Sequence, residues 1–319
     1  MTAVLEPPAH TTPAVPTFLE LEITGRCQLA CTHCYAESGP TKGHGSMTGD
    51  DWRRVLDEAA AIGVQRVQFI GGEPSMHPEF TDLVRHALDV GLAVQVYSNL
   101  YRVTAAQWEL YEHQRVSLAT SYYSDVPADH DRVTGRTGSH EATRANIVEA
   151  VRRGIPVKVG VIKTREDQRA EQAVTELESI GVDQVSMDHA RGVGNAAKTA
   201  GLPSTSELCG RCAKGIAAVL PDGVIAPCVM GRFLPAGQVR STGLEDVFTS
   251  ERWQELAASI PQRGPTACAP DCKPADSDSC QPASGTPCSP MGYAPMSAGC
   301  SPDDSACKPG QPACLPAFP

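Results

Sequence analysis

Three cysteines fall within eight residues, as Cys27-x3-Cys31-x2-Cys34. Thiolates at this spacing can converge on one soft metal centre, and they suit zinc or an iron–sulfur cluster. A structural zinc site usually takes four ligands, often as two C-x2-C pairs. Three thiolates instead leave one iron of a four-iron cluster without a protein ligand, and that iron can bind a small molecule. The next 174 residues contain no cysteine. Cys209, Cys212 and Cys228 then follow, and after them Cys268, Cys272 and five more up to Cys314. The N-terminus, MTAVLEPPAHTTPAVPT, has neither a basic start nor an apolar core, so it does not read as a secretory signal. Thirteen cysteines in such a chain read as metal or redox ligands in a reducing cytoplasm rather than as a disulfide framework.

Ligands of this kind need a scaffold. The chain has 319 residues, enough for one large domain and a small appendage. Acidic residues exceed basic ones, 37 against 27, which argues against a general nucleic-acid-coating role. No run of 18 apolar residues occurs, so no membrane span is expected. Between residues 17 and 190 short apolar strands alternate with helices. Strands are expected at 17–24, 66–70, 92–98, 115–121, 155–162 and 183–189. Helices are expected after Thr48, which forms a capping box with Asp51, and at 78–90, 104–113, 140–154 and 165–181. Such alternation implies an α/β fold with a parallel sheet. Six units are too few for a closed eight-fold barrel, which leaves a partial, open (β/α)6 barrel or a doubly wound sheet. In either, chemistry belongs at the carboxyl ends of the strands, and the first cysteine cluster lies there.

Other residues fall at the same ends. Gly71-Gly72-Glu73-Pro74 follows the second strand, where two glycines let backbone approach a ligand and a carboxylate suits an ammonium group. Tyr97-Ser98-Asn99 ends the third strand, and Ser98 or Asn99 could equally cap a helix. Ser121-Tyr122-Tyr123-Ser124 ends the fourth. The loop from His130 to Ser139, HDRVTGRTGS, can reach a substrate or cap the helix after it. Arg191-Gly-Val-Gly194 follows the sixth strand, and His189 beside it reads as a packed residue. Beyond Cys212, AAVL and VIAP flank Pro221-Asp222-Gly223, a hairpin signature, and a helix is expected over 244–260. From Cys268 onward there are 11 prolines in 52 residues and few aliphatics, a composition that cannot bury a core.

The segment CQLACTHCY resembles the C-x3-C-x2-C-aromatic motif of radical S-adenosylmethionine (SAM) enzymes, over roughly residues 17–195. The resemblance implies a four-iron–four-sulfur cluster held by Cys27, Cys31 and Cys34, with SAM at its open iron. It implies SAM contacts from Tyr35, from the GGEP segment (Gly71, Gly72, Glu73, Pro74), from Ser98 and Asn99, and from Ser121 and Arg191. Glu73 is expected on the ammonium of SAM. Leu100 stands where the family usually has glycine. Reductive cleavage of SAM would give a 5′-deoxyadenosyl radical that abstracts hydrogen from the substrate.

The later module is similar to the SPASM or twitch extension of peptide-modifying members, which holds one or two auxiliary clusters. Cys209, Cys212, Cys228, Cys268 and Cys272 are its candidate ligands, Cys212 and Cys228 foremost. The spacing Cys268-x3-Cys272-x7-Cys280-x7-Cys288 departs from the full SPASM pattern, so one auxiliary cluster is expected, with zinc as the alternative metal. The chain is thus divided into a flexible arm (1–16), a radical SAM partial barrel (17–200), a SPASM/twitch-like module (201–272) and a Cys/Pro-rich, disordered tail (273–319). The implied activity is oxidoreductase-type modification of a ribosomally made peptide in the cytoplasm, by cross-linking, epimerisation or oxidation. The alternative is dehydrogenation or rearrangement of a small molecule in cofactor or antibiotic biosynthesis. Expected partners are the peptide, a separate peptide-recognition protein, and an electron donor such as flavodoxin or ferredoxin, with no nucleic acid and no membrane.

Overall fold

The computed structural model describes residues 15–261. Cys268, Cys272, the tail and residues 1–14 lie outside the described residues. Ordered packing starts slightly earlier than the expected arm boundary, because Val15 packs on the core and Pro16 is buried.

Strand β1 (Phe18–Thr24) shows how the sheet is built. Leu19, Leu21 and Ile23 have no exposed surface and face the helices, while Glu20, Glu22 and Thr24 alternate to the other side. Five further strands run parallel to it: β2 (Arg66–Gly71), β3 (Ala93–Tyr97), β4 (Val116–Tyr122), β5 (Val157–Lys163) and β6 (Gln184–His189). Their order is β6-β5-β4-β3-β2-β1, so each neighbour follows in sequence. The register aligns Glu20 with Gln68, Gln68 with Gln95, and Gln95 with Ser117, a polar row across the inner face. The opposite face is Val, Leu, Ile and Phe under helices. This is the expected partial barrel, with a polar concave side.

The helices returning between strands are α1 (Gly49–Ala61), α2 (Phe80–Asp89), α3 (Ala105–Tyr111), α4 (Pro127–Thr134), α5 (Ser139–Arg152) and α6 (Ala170–Ile180). Thr48 caps α1 in the expected box: its hydroxyl accepts from the Asp51 amide at 3.2 Å, and Asp51 accepts from the Thr48 amide at 2.9 Å. Trp52, Val55, Leu56 and Ala59 form its buried stripe. Two boundaries differ from the sequence reading. Helix α6 starts at Ala170, not 165, because the Gln168 side chain is spent on the carbonyls of Tyr123 and Ile162 at 2.6 and 2.7 Å. The first part of HDRVTGRTGS is helical: α4 runs through Thr134 and stops at Gly135, whose φ is +67°.

After α7 (Ala197–Ala200) the chain returns to the sheet. Strand β7 (Ile216–Val219) pairs with β1 in parallel, and β8 (Val224–Ala226) and β9 (Gly237–Gln238) extend it in antiparallel. The Pro221-Asp222-Gly223 turn joins β7 to β8, with Gly223 at φ +87°. The expected hairpin is therefore part of one nine-stranded sheet. The helix expected at 244–260 is two, α8 (Leu244–Thr249) and α9 (Glu251–Ser259). Ser250 adopts extended backbone between them and its hydroxyl caps α9 at the Trp253 amide.

Candidate active site at the carboxyl ends of the strands

Cys27, Cys31 and Cys34 line one cavity of about 320 Å³ at the carboxyl ends of the strands. The loop that carries them is held from four sides. Its own backbone supplies two donors to sulfur, the Leu29 amide to Cys27 Sγ at 3.4 Å and the Ser38 amide to Cys34 Sγ at 3.3 Å. The end of α4 accepts from the Ala30 and Thr32 amides through the carbonyls of Thr134 and Val133. Beyond β6, the Asn195 amide donates to the Cys34 carbonyl at 2.9 Å and its side chain to the Cys31 carbonyl at 3.2 Å. From β3, Asn99 Nδ2 donates to Cys27 Sγ at 3.5 Å, and Asn99 Oδ1 accepts from Gln28 at 3.0 Å. Burial pushes the thiols of Cys27 and Cys31 up to about 12, so without a metal they keep their protons.

The GGEP segment sits beside this loop, but its parts work differently from the sequence expectation. Gly71 and Gly72 line the cavity. A Cβ on Gly71 would collide with the Thr24 carbonyl oxygen, and one on Gly72 with those of Arg26 and Gly25. The glycines are thus required by contact with the base of the cysteine loop. The Gly72 amide bonds the Thr24 carbonyl at 2.8 Å and the Glu73 amide that of Arg26 at 2.9 Å, which ties the segments together. The Glu73 carboxylate does not face the cavity. It is 1% exposed and accepts from the Asn99 amide at 2.8 Å, from Ser98 Oγ, and from the Ser75 amide and hydroxyl. A carboxylate with this set of internal donors organises the loops. Pro74 is buried and opens the short 3-10 turn Pro74–Met76, away from the cavity lining.

Ser98, Asn99, Ser121 and Tyr35 all line the cavity. Ser121 Oγ shares a hydrogen bond with the Tyr97 hydroxyl at 3.0 Å. Leu100 has φ +52°, the left-handed region that glycine occupies freely, and its side chain is fully buried. The turn keeps a glycine-like backbone while using a leucine for packing. Arg191 also lines the cavity, but its guanidinium is engaged: Nη2 donates to Asp188 at 2.7 Å and Nη1 to the Glu207 carbonyl at 2.8 Å. It staples the end of β6 to the segment leading to Cys209. HDRVTGRTGS caps the helix after it, and His130 and Thr134 of this segment also line the cavity. Asp131 accepts from the Gly138 amide at 2.7 Å, the Ser139 hydroxyl at 2.9 Å and the His140 amide at 2.9 Å. His130 lines the cavity as a neutral imidazole, pushed down to about 3 by burial.

Cys209, Cys212 and Cys228 form the second group. Cys209 and Cys228 both push the Cys212 thiol up, and the Gly231 amide donates to Cys228 Sγ at 3.2 Å. The Cys212 thiol and the nearby charges of Arg191 and Arg211 hold Cys209 down to about 5, while Cys212 keeps its proton. Leu208, Cys212, Cys228 and Ile260 pack as one small apolar cluster. Directly after Cys228, Val229 and Met230 line the large cavity, so the second cysteine group borders the first site. Among the described residues no three His, Cys, Asp or Glu side chains close on a single metal ion.

Several features had no sequence signal strong enough to single them out: Asn195, Gln28, Glu20 and Arg232. Four buried polar atoms on residues of the cavity wall, His33 Nδ1, Tyr35 Oη, Ser38 Oγ and His130 Nδ1, have no hydrogen-bond partner among the described residues. Three thiols in one wall, orphaned polar atoms beside them and a 320 Å³ space fit a cluster with a bound small molecule.

A model of the Radical SAM superfamily matches residues 21–177, and one of SPASM, an iron–sulfur cluster-binding domain, matches residues 209–273. The chain carries a radical SAM domain followed by a SPASM domain. With that come a SAM-binding four-iron–four-sulfur cluster and SAM as cofactors, and with the SPASM match an auxiliary iron–sulfur cluster. Among curated proteins this radical SAM chain is similar to the PqqA peptide cyclase of Rhodopseudomonas palustris, 32% identical over 173 residues, 51% of this chain and 44% of that protein. It is similar also to the PqqA peptide cyclase of Xanthomonas campestris pv. campestris, 30% identical over 201 residues, 60% of this chain and 52% of that protein. The chain spans about half the length of the curated relatives it matches. Among solved structures, Streptococcus suis SuiB bound to precursor peptide SuiA has a TM-score of 0.64 at 14% identity, covering 79% of this chain and 68% of that one. That likeness shows the fold.

Proposed function

We propose that this chain is a radical SAM enzyme that modifies a ribosomally synthesised peptide. The observation that carries the first half is the convergence of Cys27, Cys31 and Cys34 on one cavity wall beside Gly71, Gly72, Ser98 and Asn99. Bound there, the cluster and SAM supply a one-electron cleavage that yields a hydrogen-abstracting carbon radical. The chain's own residues do the rest. Cys27, Cys31 and Cys34 hold the cluster, and Asn99 and the Leu29 and Ser38 amides donate to their sulfurs. The backbone of Gly71 and Gly72, with Ser98, Asn99, Ser121 and Tyr35, lines the space for SAM. Half-buried and buried side chains around it exclude water, which protects a reactive radical.

The peptide is favoured as substrate over a small molecule because the curated relatives are named for a peptide. Among outcomes, an oxidative cross-link is favoured. Cys228 is followed directly by two residues of the cavity wall, which brings an auxiliary ligand beside the substrate space. The further ligands proposed for that auxiliary site are Cys209, Cys212, Cys268 and Cys272. A flavodoxin or ferredoxin as reductant, a separate peptide-recognition protein, and a cytoplasmic setting complete the reading. No helix among the described residues is long and apolar enough to cross a membrane.

The deciding experiment is anaerobic incubation with SAM, reductant and a short peptide encoded beside the gene. Formation of 5′-deoxyadenosine together with a peptide lighter by about 2 Da, two hydrogens, supports the proposal. Unchanged mass with deuterium uptake from solvent means epimerisation. No 5′-deoxyadenosine at all overturns the proposal.

A further inference from the structure

Two glutamates lie two residues apart on the inner face of β1, and the loop after Cys228 meets each differently. Glu22 is 1% exposed, and Arg232 Nη1 donates to it at 2.8 Å. Glu20 lines the cavity and accepts one hydrogen bond, from the Val229 amide at 2.8 Å. Among the described residues Glu20 is given no ion pair, and Arg211 draws its carboxyl down less than burial raises it. A carboxylate drawn out of water needs a cation or several donors to be stable as an anion. Burial accordingly pushes Glu20 up to about 7. A second incomplete group stands near it. The Tyr35 hydroxyl is buried without a partner, belongs to a residue of the same cavity wall, and feels the charges of both Glu20 and Glu22. The other carboxylate of the cavity wall, Asp188, is already paired with Arg191 at 2.7 Å.

We propose that Glu20 and Tyr35 form a subsite for a cationic side chain of the substrate, an ammonium or a guanidinium. Glu20 would accept the charge and Tyr35 a hydrogen bond beside it. The inference rests on the cavity being the substrate site of the radical SAM reading, and it deepens that reading by naming the chemistry of the substrate. The register separates Glu20 from the cofactor's end of the cavity. Glu20 aligns with Gln68, whereas Gly71 aligns with Thr24, four residues farther along β1 toward the cysteine loop.

The test uses the full chain, loaded anaerobically, and calorimetric titration with n-butylammonium, n-butylguanidinium and 1-pentanol, with SAM titrated alongside. At least one cation should bind about tenfold or more tighter than the alcohol, the scale of a charge-assisted hydrogen bond. Comparing the two cations tells ammonium from guanidinium. Glu20→Gln keeps an acceptor for the Val229 amide and should lose the preference, while Asp188→Asn should keep it. Equal binding of cations and alcohol by the unaltered chain overturns the inference, and that comparison needs no variant to fold. A preference that survives Glu20→Gln overturns it too. So does a loss of SAM affinity in Glu20→Gln as large as the loss for the cation, which would hand the carboxylate to the cofactor. The 5′-deoxyadenosine assay on the unaltered chain is read separately, so failure of the radical SAM reading and failure of the subsite are distinguishable.

Discussion

Both carboxylate oxygens of Glu73 lie 3.0 Å from the hydroxyl of Ser98. The carboxylate thereby joins the loop after β2 to the loop after β3, and the Asn99 amide completes the junction at 2.8 Å. Asn99 in turn donates to Cys27 Sγ, so a buried acid stands one residue removed from the sulfur of a cluster ligand. Burial raises the Glu73 pKa, and the donors from Ser75, Asn99 and Ser98 pull it back.

From this geometry Glu73→Gln should act on stability first. The amide nitrogen of glutamine would face a donor, either the Asn99 amide or the Ser75 amide and hydroxyl, and leave it unsatisfied. The expected loss is about 1–3 kcal/mol in denaturant unfolding. SAM affinity should fall only as far as the Ser98–Asn99 turn moves. A tenfold weaker affinity with unchanged unfolding would place the carboxylate on the cofactor after all.

Gly194 and Asn195 form the clamp on the other side of the cysteine loop. Gly194 has φ +62°, and a Cβ there would collide with the carbonyl oxygens of Tyr35 and Cys34. Gly194→Ala should therefore displace the turn that presents Cys34. Asn195→Ala should remove the hydrogen bond to the Cys31 carbonyl, at a cost of about 1 kcal/mol, together with an exposed one accepted from Lys198. Iron content after anaerobic reconstitution should fall more for Gly194→Ala than for Asn195→Ala. Full loading of the glycine variant would show that the clamp is dispensable.

Much of this was legible in the sequence. Period-two strands such as FLELEIT and the Thr48 box announce their elements locally, and the three cysteines sit at a strand end by spacing alone. What stayed hidden depends on distant pairing. Nothing near Glu20 shows that Val229 and Arg232, over 200 positions later, settle which of two β1 acids is neutralised. Glu73 looked like a ligand because a carboxylate after two glycines has the right chemistry. Only the fold reveals that Ser98 and Asn99 consume it. Leu100 was visible as a departure from glycine, but its φ of +52° was not, because a buried leucine can be forced into that backbone by its packing.

The two β1 acids also set a pH dependence. Burial first, and for Glu22 against the pull of Arg232, brings Glu20 up to about 7 and Glu22 up to about 6, from 4.5. At these two groups the folded chain holds more protons than the unfolded chain between about pH 4.5 and 7, so their own contribution to stability falls as pH rises through that window, while the buried imidazoles of His33, His77 and His130, held down by burial, contribute in the opposite sense. The contribution is fully present below the unfolded value and gone above the folded one. For Glu20 it is on the order of 3 kcal/mol. Urea unfolding at pH 5 and pH 8 should show that Glu20→Gln gains stability at the higher pH relative to the unaltered chain, by about the Glu20 contribution. Identical pH slopes in the two would remove Glu20 from the account.

The last prediction concerns the second cysteine group. Cys209, Cys212 and Cys228 act on one another closely enough to shift the Cys212 thiol, and the proposed auxiliary cluster would draw its fourth ligand from Cys268 or Cys272. With a four-iron cluster at each site the reconstituted chain should hold about eight irons. Replacing Cys27, Cys31 and Cys34 by Ala should leave about four, and replacing Cys212 and Cys228 as well should remove them. A chain ending at Pro290 keeps Cys268 and Cys272 and should retain about eight irons, whereas one ending at Gln262 should retain about four. The two truncations differ in their outcome because only the shorter one removes both candidates for the fourth place. Loss of about four irons already at Pro290 would show that Cys300, Cys307 or Cys314 supplies the missing ligand. Full retention at Gln262 would show that the three thiols of the described residues, with a ligand other than Cys268 or Cys272, suffice for the auxiliary cluster.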